Sequence, residues 1–296
     1  MDLNLNFEVL FIENLQNLLK SHSHREIALI LDAILALNEN LSVSNTENLL
    51  NFLKENLKKF SSPRTQNMLV SLLKNLDPDK ISEILFDLLS KTEYEKVKTQ
   101  IITAFIELEI KFSEDQLEDI FSAFFESDWE LRDSVLSLII KCFREQNFDA
   151  LISAKFLSLL QKGLTDDVPS VRATALGSKI VPKIFEKFEP DWENGIKEIV
   201  KMTSSDLDYN VRRTGIDVLA SLIDQKLDIF LEALRSRSIF TNIDYDEFKP
   251  VLNYERTTIS DLGDLFEYLS YDDDWEVKVK LVRLLSKLLG HIRGYK

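Results

Sequence analysis

The sequence contains very little glycine, proline and cysteine for its length. Its 296 residues include 7 Gly, 6 Pro and 1 Cys. Because Gly and Pro are the residues that break helices and form tight turns, their scarcity favours long helices. The single thiol, Cys142, excludes an internal disulfide and suits a reducing compartment.

Basic residues are also too few to balance the acidic ones. The chain has 36 Lys and Arg against 50 Asp and Glu, which gives a formal net charge of -14. Nonspecific binding to DNA or RNA uses clustered cations, as does binding to an anionic membrane surface. We therefore expect neither direct nucleic-acid binding nor membrane binding. No apolar run approaches the roughly 18 residues that a membrane-spanning helix needs.

The residue patterns of common catalytic and ligand sites are missing from the sequence. It contains no Gly-rich phosphate loop, metal-ligand cluster or nucleophile elbow. His22 and His24 lie at an expected turn and His291 lies near the end, which favours surface roles for all three. Cys142 lies among apolar residues, where a buried inert thiol is favoured over a nucleophile. We predict a non-enzymatic protein with no catalytic residue, no metal site and no cofactor.

A short motif does recur along the chain. Each copy has an acidic residue, then an aliphatic residue followed by a cation, and then an apolar helical run. The cations Arg132, Arg172 and Arg212 are evenly spaced, and Lys278 follows after a longer gap. Their even spacing matches the repeat of about 40 residues that is typical of a solenoid of helix pairs.

Apolar residues at helical spacing extend this pattern over the whole chain. We predict an all-α fold, a HEAT-like α-solenoid of about seven antiparallel helix pairs that spans residues 1–296 as one domain. In the earlier, weaker repeats, Arg25, Arg64 and Lys98 take the position of the cation. The longer gap before Lys278 predicts an insertion at about 237–258.

The charged residues of the motif have a structural explanation. An Asp at the start of a helix accepts backbone N–H bonds and complements the helix dipole. The cation one turn later can bond the Asp of a neighbouring repeat, while the aliphatic residue before it faces the core. Direct contact with a partner is the alternative role. The residues of this predicted ladder are Asp128, Arg132, Asp167, Arg172, Asp208, Arg212, Asp274 and Lys278.

Aromatic residues supply the candidates for partner contact. Trp129 and Trp275 occupy equivalent positions in the motif, where they either pack against the turn or anchor a partner. In the expected insertion, Tyr245, Phe248 and Tyr254 belong either to a mobile spacer or to a partner-binding loop.

The turn sequences carry a resemblance to a known family. The segments 128–134, 170–175, 211–213 and 273–278 are similar in kind and order to turns in the C-terminal HEAT repeats of the breast-cancer-protein-associated ATM activator family. Members of that family are non-enzymatic scaffolds linked to DNA-damage kinase signalling and to the RNA endonuclease module of the Integrator complex. The resemblance implies such an adaptor, with a DNA-damage kinase or that module as partner and a nuclear and cytoplasmic location.

Two other classes of function stay open at this point. One is a generic HEAT adaptor for transport or phosphatase complexes, without a role in DNA damage. The other is a HEAT-like nucleic-acid glycosylase, which needs a basic groove lined by aromatic residues. The net charge of -14 disfavours the glycosylase.

Overall fold

The computed structural model describes residues 43–125, 128–180, 192–230 and 262–294, together with Ile27, Leu29 and Leu31. Within these residues the regular structure is helical and includes no strand. The α-helices with described bounds are α1 (Val43–Asn56), α2 (Pro63–Leu73), α3 (Pro78–Lys91), α4 (Glu95–Glu107), α5 (Glu114–Ala123), α6 (Trp129–Glu145), α7 (Ala150–Leu164), α8 (Pro169–Gly177), α9 (Trp192–Ser205), α10 (Tyr209–Gln225), α11 (Leu262–Ser270) and α12 (Trp275–Gly294).

These helices form successive pairs, α1 with α2 through to α11 with α12. Short connections, such as residues 165–168 between α7 and α8, make the two helices of a pair antiparallel neighbours. The predicted all-α fold of antiparallel helix pairs is confirmed for the described residues. Most of the first predicted pair, at 7–37, lies outside the described residues, as does the predicted insertion at 237–258.

The contacts divide the chain into two units, Met1–Leu138 and Ile139–Lys296, and the division falls within α6. In the first unit, α1 packs against α3 and α2 packs against α4. In the second unit, α9 packs against α11, while α10 lies between α8 and α12. Within each unit, first helices therefore stack on first helices and second helices on second helices, as in α-solenoid repeats.

The core follows the predicted register of the motif. The aliphatic residue before Lys98, Arg132, Arg172, Arg212 and Lys278 is fully buried in each case, so this part of the prediction is confirmed for these five repeats. Aromatic rings add to the core of the first unit, where Phe86 stacks on Phe105 with centroids 4.7 Å apart and both rings contact Phe112. The buried aliphatic residues are Val97, Leu131, Val171, Val211 and Val277.

Helix starts also follow from the local sequence. The Ser62 side chain accepts the N–H of Thr65, and Pro63 is the first residue of α2. At the start of α5, the Ser113 side chain accepts the N–H of Gln116, whose side chain in turn accepts the N–H of Ser113. Each cap stabilises its helix by about 1 kcal/mol.

Candidate functional site: a charged ladder and an exposed turn edge

A paired arginine–aspartate interaction joins consecutive repeats of the second unit. In α8, Arg172 donates from Nε and Nη2 to the two carboxylate oxygens of Asp206, at 2.8 and 2.9 Å. Its Nη1 donates to the carbonyls of Asp166 and Asp167, which precede α8. One guanidinium therefore fixes the turn of its own pair and the turn of the next.

The same arrangement recurs one repeat later. Arg212 donates to both carboxylate oxygens of Asp272, at 2.6 and 2.8 Å, and to the carbonyls of Asp206 and Leu207. Asp206 thus binds Arg172 through its side chain and Arg212 through its carbonyl. The two pairs form a continuous ladder along the turns of the second unit.

The surroundings keep both guanidinium groups charged. Hydrogen bonding to Asp206 raises the pKa of Arg172. Burial opposes the charge on Arg212, but the bond to Asp272 and nearby acidic groups outweigh it, so the pKa of Arg212 is also raised. The Asp272 side chain is fully buried and that of Arg212 is 15% exposed. A fixed bidentate geometry of this kind suits Arg better than Lys.

The structure separates two acidic roles that the sequence motif does not distinguish. Asp128, Asp208 and Asp274 each accept a backbone N–H at the start of the second helix of their pair. The carboxylates that bind the arginines are Asp206 and Asp272, each two positions before a capping residue. Their own oxygens also accept the N–H of Asp208 and of Asp274, so cap and ladder are joined.

The expected role of Asp167 is wrong. The residue before α8 is Val168, which occupies the position of Asp208 and makes no side-chain cap bond. Asp167 lies one position earlier, and its carbonyl accepts a hydrogen bond from Arg172. Of the two adjacent acids, Asp166 is the one that corresponds to Asp206, so Asp167 lies one residue away from the capping position.

The first unit has an uncharged version of this interaction. Gln66 lies three residues after Pro63, as Arg172 does after Pro169, and its Oε1 accepts a 2.7 Å bond from the Thr92 hydroxyl. That hydroxyl accepts the N–H of Tyr94, just as Asp206 accepts the N–H of Asp208. Gln66 therefore holds the cation position that was assigned to Arg64, whose side chain is exposed.

The two remaining cations of the predicted ladder differ in their surroundings. Arg132 follows the buried Leu131 in α6 and is half-buried. Lys278 holds the same position in α12 but is exposed, with no carboxylate partner among the described residues. It is a ladder position without a following repeat in the described part of the chain.

Large apolar side chains lie exposed along the turns that the ladder holds. In the second unit we call Leu207, Tyr209, Tyr271 and Trp275 the turn edge. These side chains are 68%, 40%, 54% and 67% exposed. Tyr209 and Trp275 occupy the same position in consecutive repeats, as the first residue of the second helix.

Two arginines set the geometry of the turn edge. Arg212 binds the carbonyl of Leu207 and the carboxylate beside Tyr271, so it holds the two turns side by side. Arg213 lies over the Tyr209 ring, 5.8 Å from its centroid, and bonds Glu276, the neighbour of Trp275. The exposed side chains therefore stand on a fixed frame.

The structure places the predicted tryptophans on the surface. Trp129 is 42% exposed at the start of α6, and Trp275 is more exposed still. This exposure favours partner contact over packing against the turn. Tyr209 and the two turn residues Leu207 and Tyr271 were missed in the sequence, although Tyr209 stands at the tryptophan position of its repeat. Tyr245, Phe248 and Tyr254 lie outside the described residues.

Cys142 occupies a core position of the repeat. It aligns with Leu222 of α10, and both side chains are 4% exposed. Burial raises the pKa of the thiol to about 12. The thiol is therefore protonated at neutral pH and lacks the thiolate that nucleophilic chemistry requires.

Neither a metal centre nor a membrane span occurs in the described part of the chain. No group of three or more His, Cys, Asp or Glu side chains there could hold a metal ion. None of the helices among these residues combines the length and the apolar character needed to cross a membrane.

No protein-family model and no curated protein sequence matches the chain. Two engineered proteins of the Northeast Structural Genomics Consortium are similar in structure. One is 14% identical at a TM-score of 0.45, over 80% of this chain and 97% of its own. The other is 16% identical at a TM-score of 0.36, over 94% and 96%. Kap121p bound to Nup53p is 13% identical at a TM-score of 0.43, over 96% of this chain and 38% of Kap121p. At these identities and TM-scores, none of them identifies a function.

Proposed function

We propose that this chain is a non-enzymatic helical-repeat scaffold that binds other proteins through the turn edge. The observation that carries the proposal is the row of exposed Leu, Tyr and Trp side chains on the frame held by Arg212 and Arg213. Exposed apolar patches mark interaction surfaces, and Trp, Tyr and Arg are the residues that dominate binding energy there.

A rigid frame lowers the cost of binding. Side chains that are free in solution lose about 0.5–1.5 kcal/mol each when a partner immobilises them. On the turn edge, the backbone is already fixed by Arg212, and the Tyr209 ring lies beneath Arg213. More of the apolar contact energy is then available for affinity.

We further propose that the partners belong to DNA-damage signalling or to the Integrator endonuclease module, in the nucleus and cytoplasm. This narrower proposal is supported by the resemblance of the turn sequences to the ATM activator family. It is tested by affinity purification of the tagged chain from its own cells, followed by mass spectrometry. Reproducible recovery of Integrator endonuclease subunits or of a damage-signalling kinase supports it. Recovery of only transport factors or a phosphatase core contradicts it and leaves the general scaffold function in place.

A matched pair of variants tests the turn edge itself. Leu207→Ser removes an exposed leucine of the turn edge, and Leu151→Ser removes one at the start of α7, with side chains 68% and 61% exposed. We expect Leu207→Ser combined with Trp275→Ser to lose the specific partners, while Leu151→Ser retains them. Equal recovery from both would show that binding lies elsewhere on the chain.

A further inference from the structure

Helix α12 presents an apolar stripe on the face that no other described helix covers. Trp275, Val279, Val282 and Leu289 are 67%, 37%, 61% and 53% exposed. Their spacing of four, three and seven positions places them in one row along the helix. Trp275 thus belongs both to the turn edge and to this row, which we call the α12 face.

The corresponding face of the preceding repeat is an interface. Arg212 and Lys278 are equivalent, so Val282 aligns with Ile216 of α10 and Leu289 aligns with Ile223. Ile216 and Ile223 are buried, at 1% and 0% exposed, in a helix that packs against α12. The α12 face therefore carries apolar residues at the same positions at which α10 has buried residues.

Charge sets the α12 face apart from the rest of the chain. Helix α12 contains five Lys or Arg residues and one acidic residue, in a chain of net charge -14. Three of its charged residues are bonded to α10, since Glu276 bonds Arg213, Lys280 bonds Asp217 and Lys287 bonds Asp224. Lys278 and Arg283 stay exposed.

The alignment of α12 with α10 indicates which groups Lys278 and Arg283 would bind. Lys278 corresponds to Arg212, which binds the carboxylate of Asp272. Arg283 corresponds to Asp217, which binds a lysine of α12. Because α12 has a cation where α10 has a carboxylate, the partner at this position must supply a carboxylate instead of a lysine. Both positions therefore call for carboxylates on whatever covers the face.

The far end of the face allows a close approach. Gly290 corresponds to Asp224, and a Cβ added there would meet no atom of the described residues within 4 Å. A second helix can lie near the α12 backbone at this point, beside Leu289.

We propose that the α12 face binds an amphipathic helix of another protein, one with an aliphatic stripe flanked by carboxylates. This inference rests on the proposed scaffold function and assigns one class of partner to a defined surface. The occupant would pack on the α12 face as α12 packs on α10, with its carboxylates at Lys278 and Arg283.

The test places a photo-crosslinking benzoylphenylalanine at Val282 and, as a matched control, at Leu151. The tagged chain is irradiated in its own cells, and the crosslinked segments are identified by mass spectrometry. We expect the Val282 probe alone to capture an acidic amphipathic segment of another protein. A Val282 crosslink to a second copy, to another part of this chain or to a segment without this pattern would overturn the proposal.

The captured segment is then synthesised as a peptide and its binding is measured by fluorescence anisotropy. We expect Val282→Glu and the double variant Lys278→Glu/Arg283→Glu each to weaken binding by about tenfold or more, while Leu151→Ser leaves it unchanged. Circular dichroism confirms that each variant is folded. Unchanged affinity in both α12 variants would overturn the proposal.

The two proposals fail in distinguishable ways. If Leu207→Ser with Trp275→Ser abolishes partner recovery but no partner crosslinks to Val282, the scaffold function stands and the α12 face is not its helix-binding site. If the wild-type chain recovers no specific partner at all, both proposals fall.

Discussion

Arg212 and Asp272 form a bidentate ion pair that joins two repeats across 60 residues of sequence. The carboxylate is fully buried, and it also accepts the N–H of Asp274 at the start of α12. The guanidinium in turn binds two carbonyls of its own turn. This pair fixes the spacing of the turns, and the turn edge depends on that spacing.

We predict that removing Arg212 lowers the unfolding free energy more than removing Asp272 does. Arg212→Ala leaves the buried carboxylate of Asp272 without its cation and should cost about 3 kcal/mol or more of unfolding free energy. Asp272→Ala should cost less, because Arg212 is partly exposed and can turn its charge to water. Urea denaturation of the single and double variants measures this, and the double variant should lose less than the sum of the single ones.

The less buried pair of Lys280 and Asp217 is the control for that experiment. Its two side chains are 29% and 40% exposed. We expect Lys280→Ala to cost less than about 1 kcal/mol, and less still at high salt. A loss as large as that of Arg212→Ala would mean that burial is not the reason for the strength of the Arg212–Asp272 pair.

Gly215 lies at a close approach between α9 and α10. A Cβ at this position would lie 1.9 Å from Thr203 Oγ1 and 2.9 Å from Thr203 Cβ. Gly215→Ala should therefore destabilise the protein by about 1–3 kcal/mol through overpacking, as measured by thermal denaturation. Adding Thr203→Ala should restore part of this loss.

Gly177 supplies the matched control for Gly215. It lies at the end of α8, and an added Cβ would be 3.8 Å from Thr214 Cγ2, which is ordinary contact. Gly177→Ala should be neutral or stabilise by up to about 1 kcal/mol, because Ala favours the helix. Equal destabilisation by the two substitutions would contradict the predicted clash at Thr203.

The Cys142 thiol should be unreactive in the folded protein. Its pKa of about 12 lies above the ordinary 9.0, since burial disfavours the thiolate. We expect a thiol-specific reagent such as Ellman's to modify it at neutral pH only after urea unfolding. Rapid modification of the native chain would contradict the burial of this side chain.

The raised pKa of Cys142 also predicts how the stability of the protein changes with pH. A raised folded pKa means that the native state favours the protonated thiol, so this contribution is complete below pH 9. It is lost as the pH rises from 9 through about 12. Cys142→Leu, which introduces the residue found at the equivalent Leu222, should remove this part of the alkaline loss in urea denaturation at several pH values.

The hydrogen bond between Thr92 and Gln66 in the first unit should, unlike the ion pairs of the ladder, contribute a stability that does not depend on salt. Thr92→Val removes the hydroxyl that donates to Gln66 and accepts the N–H of Tyr94. We expect a loss of about 1–3 kcal/mol, because a buried acceptor on Gln66 stays unpaired. Since no charge is involved, the loss should not change between low and high salt in urea denaturation. A strong salt dependence would contradict the neutral assignment.

The fold could be predicted from the sequence because the residue patterns that indicate it are local and repeated. Apolar spacing, the caps at Ser62 and Ser113, and the aliphatic residue before each cation depend on neighbouring residues alone. The buried aliphatic positions appear in the structure as predicted, and the two caps form within four residues of sequence.

The partners of the ladder were harder to predict because they depend on how repeats stack. Asp206 and Asp208 both precede α10, and nothing in the sequence says which one faces Arg172 of the pair before. The backbone decides it: Asp208 turns toward its own helix start, while Asp206 turns toward α8. In the first unit the interaction has no charge at all, so a sequence pattern based on cations predicts Arg64 at this position instead of Gln66.

The exposure of the turn-edge side chains could not be predicted from the sequence either. An aromatic residue at the start of a helix fits either a packed turn or a surface, and only the neighbouring repeat distinguishes the two. Tyr271 directly precedes the most deeply buried acid of the ladder, Asp272, yet its own side chain is 54% exposed.

The central claim is that the turn edge binds protein partners, and quantitative affinity purification tests it most directly. The wild-type chain, the Leu207→Ser/Trp275→Ser variant and the Leu151→Ser control are compared in the same cells, at equal expression and with folding checked by circular dichroism. We predict that the partners recovered with wild type fall to background in the turn-edge variant and persist in the control. Full recovery of those partners by the turn-edge variant would contradict the claim.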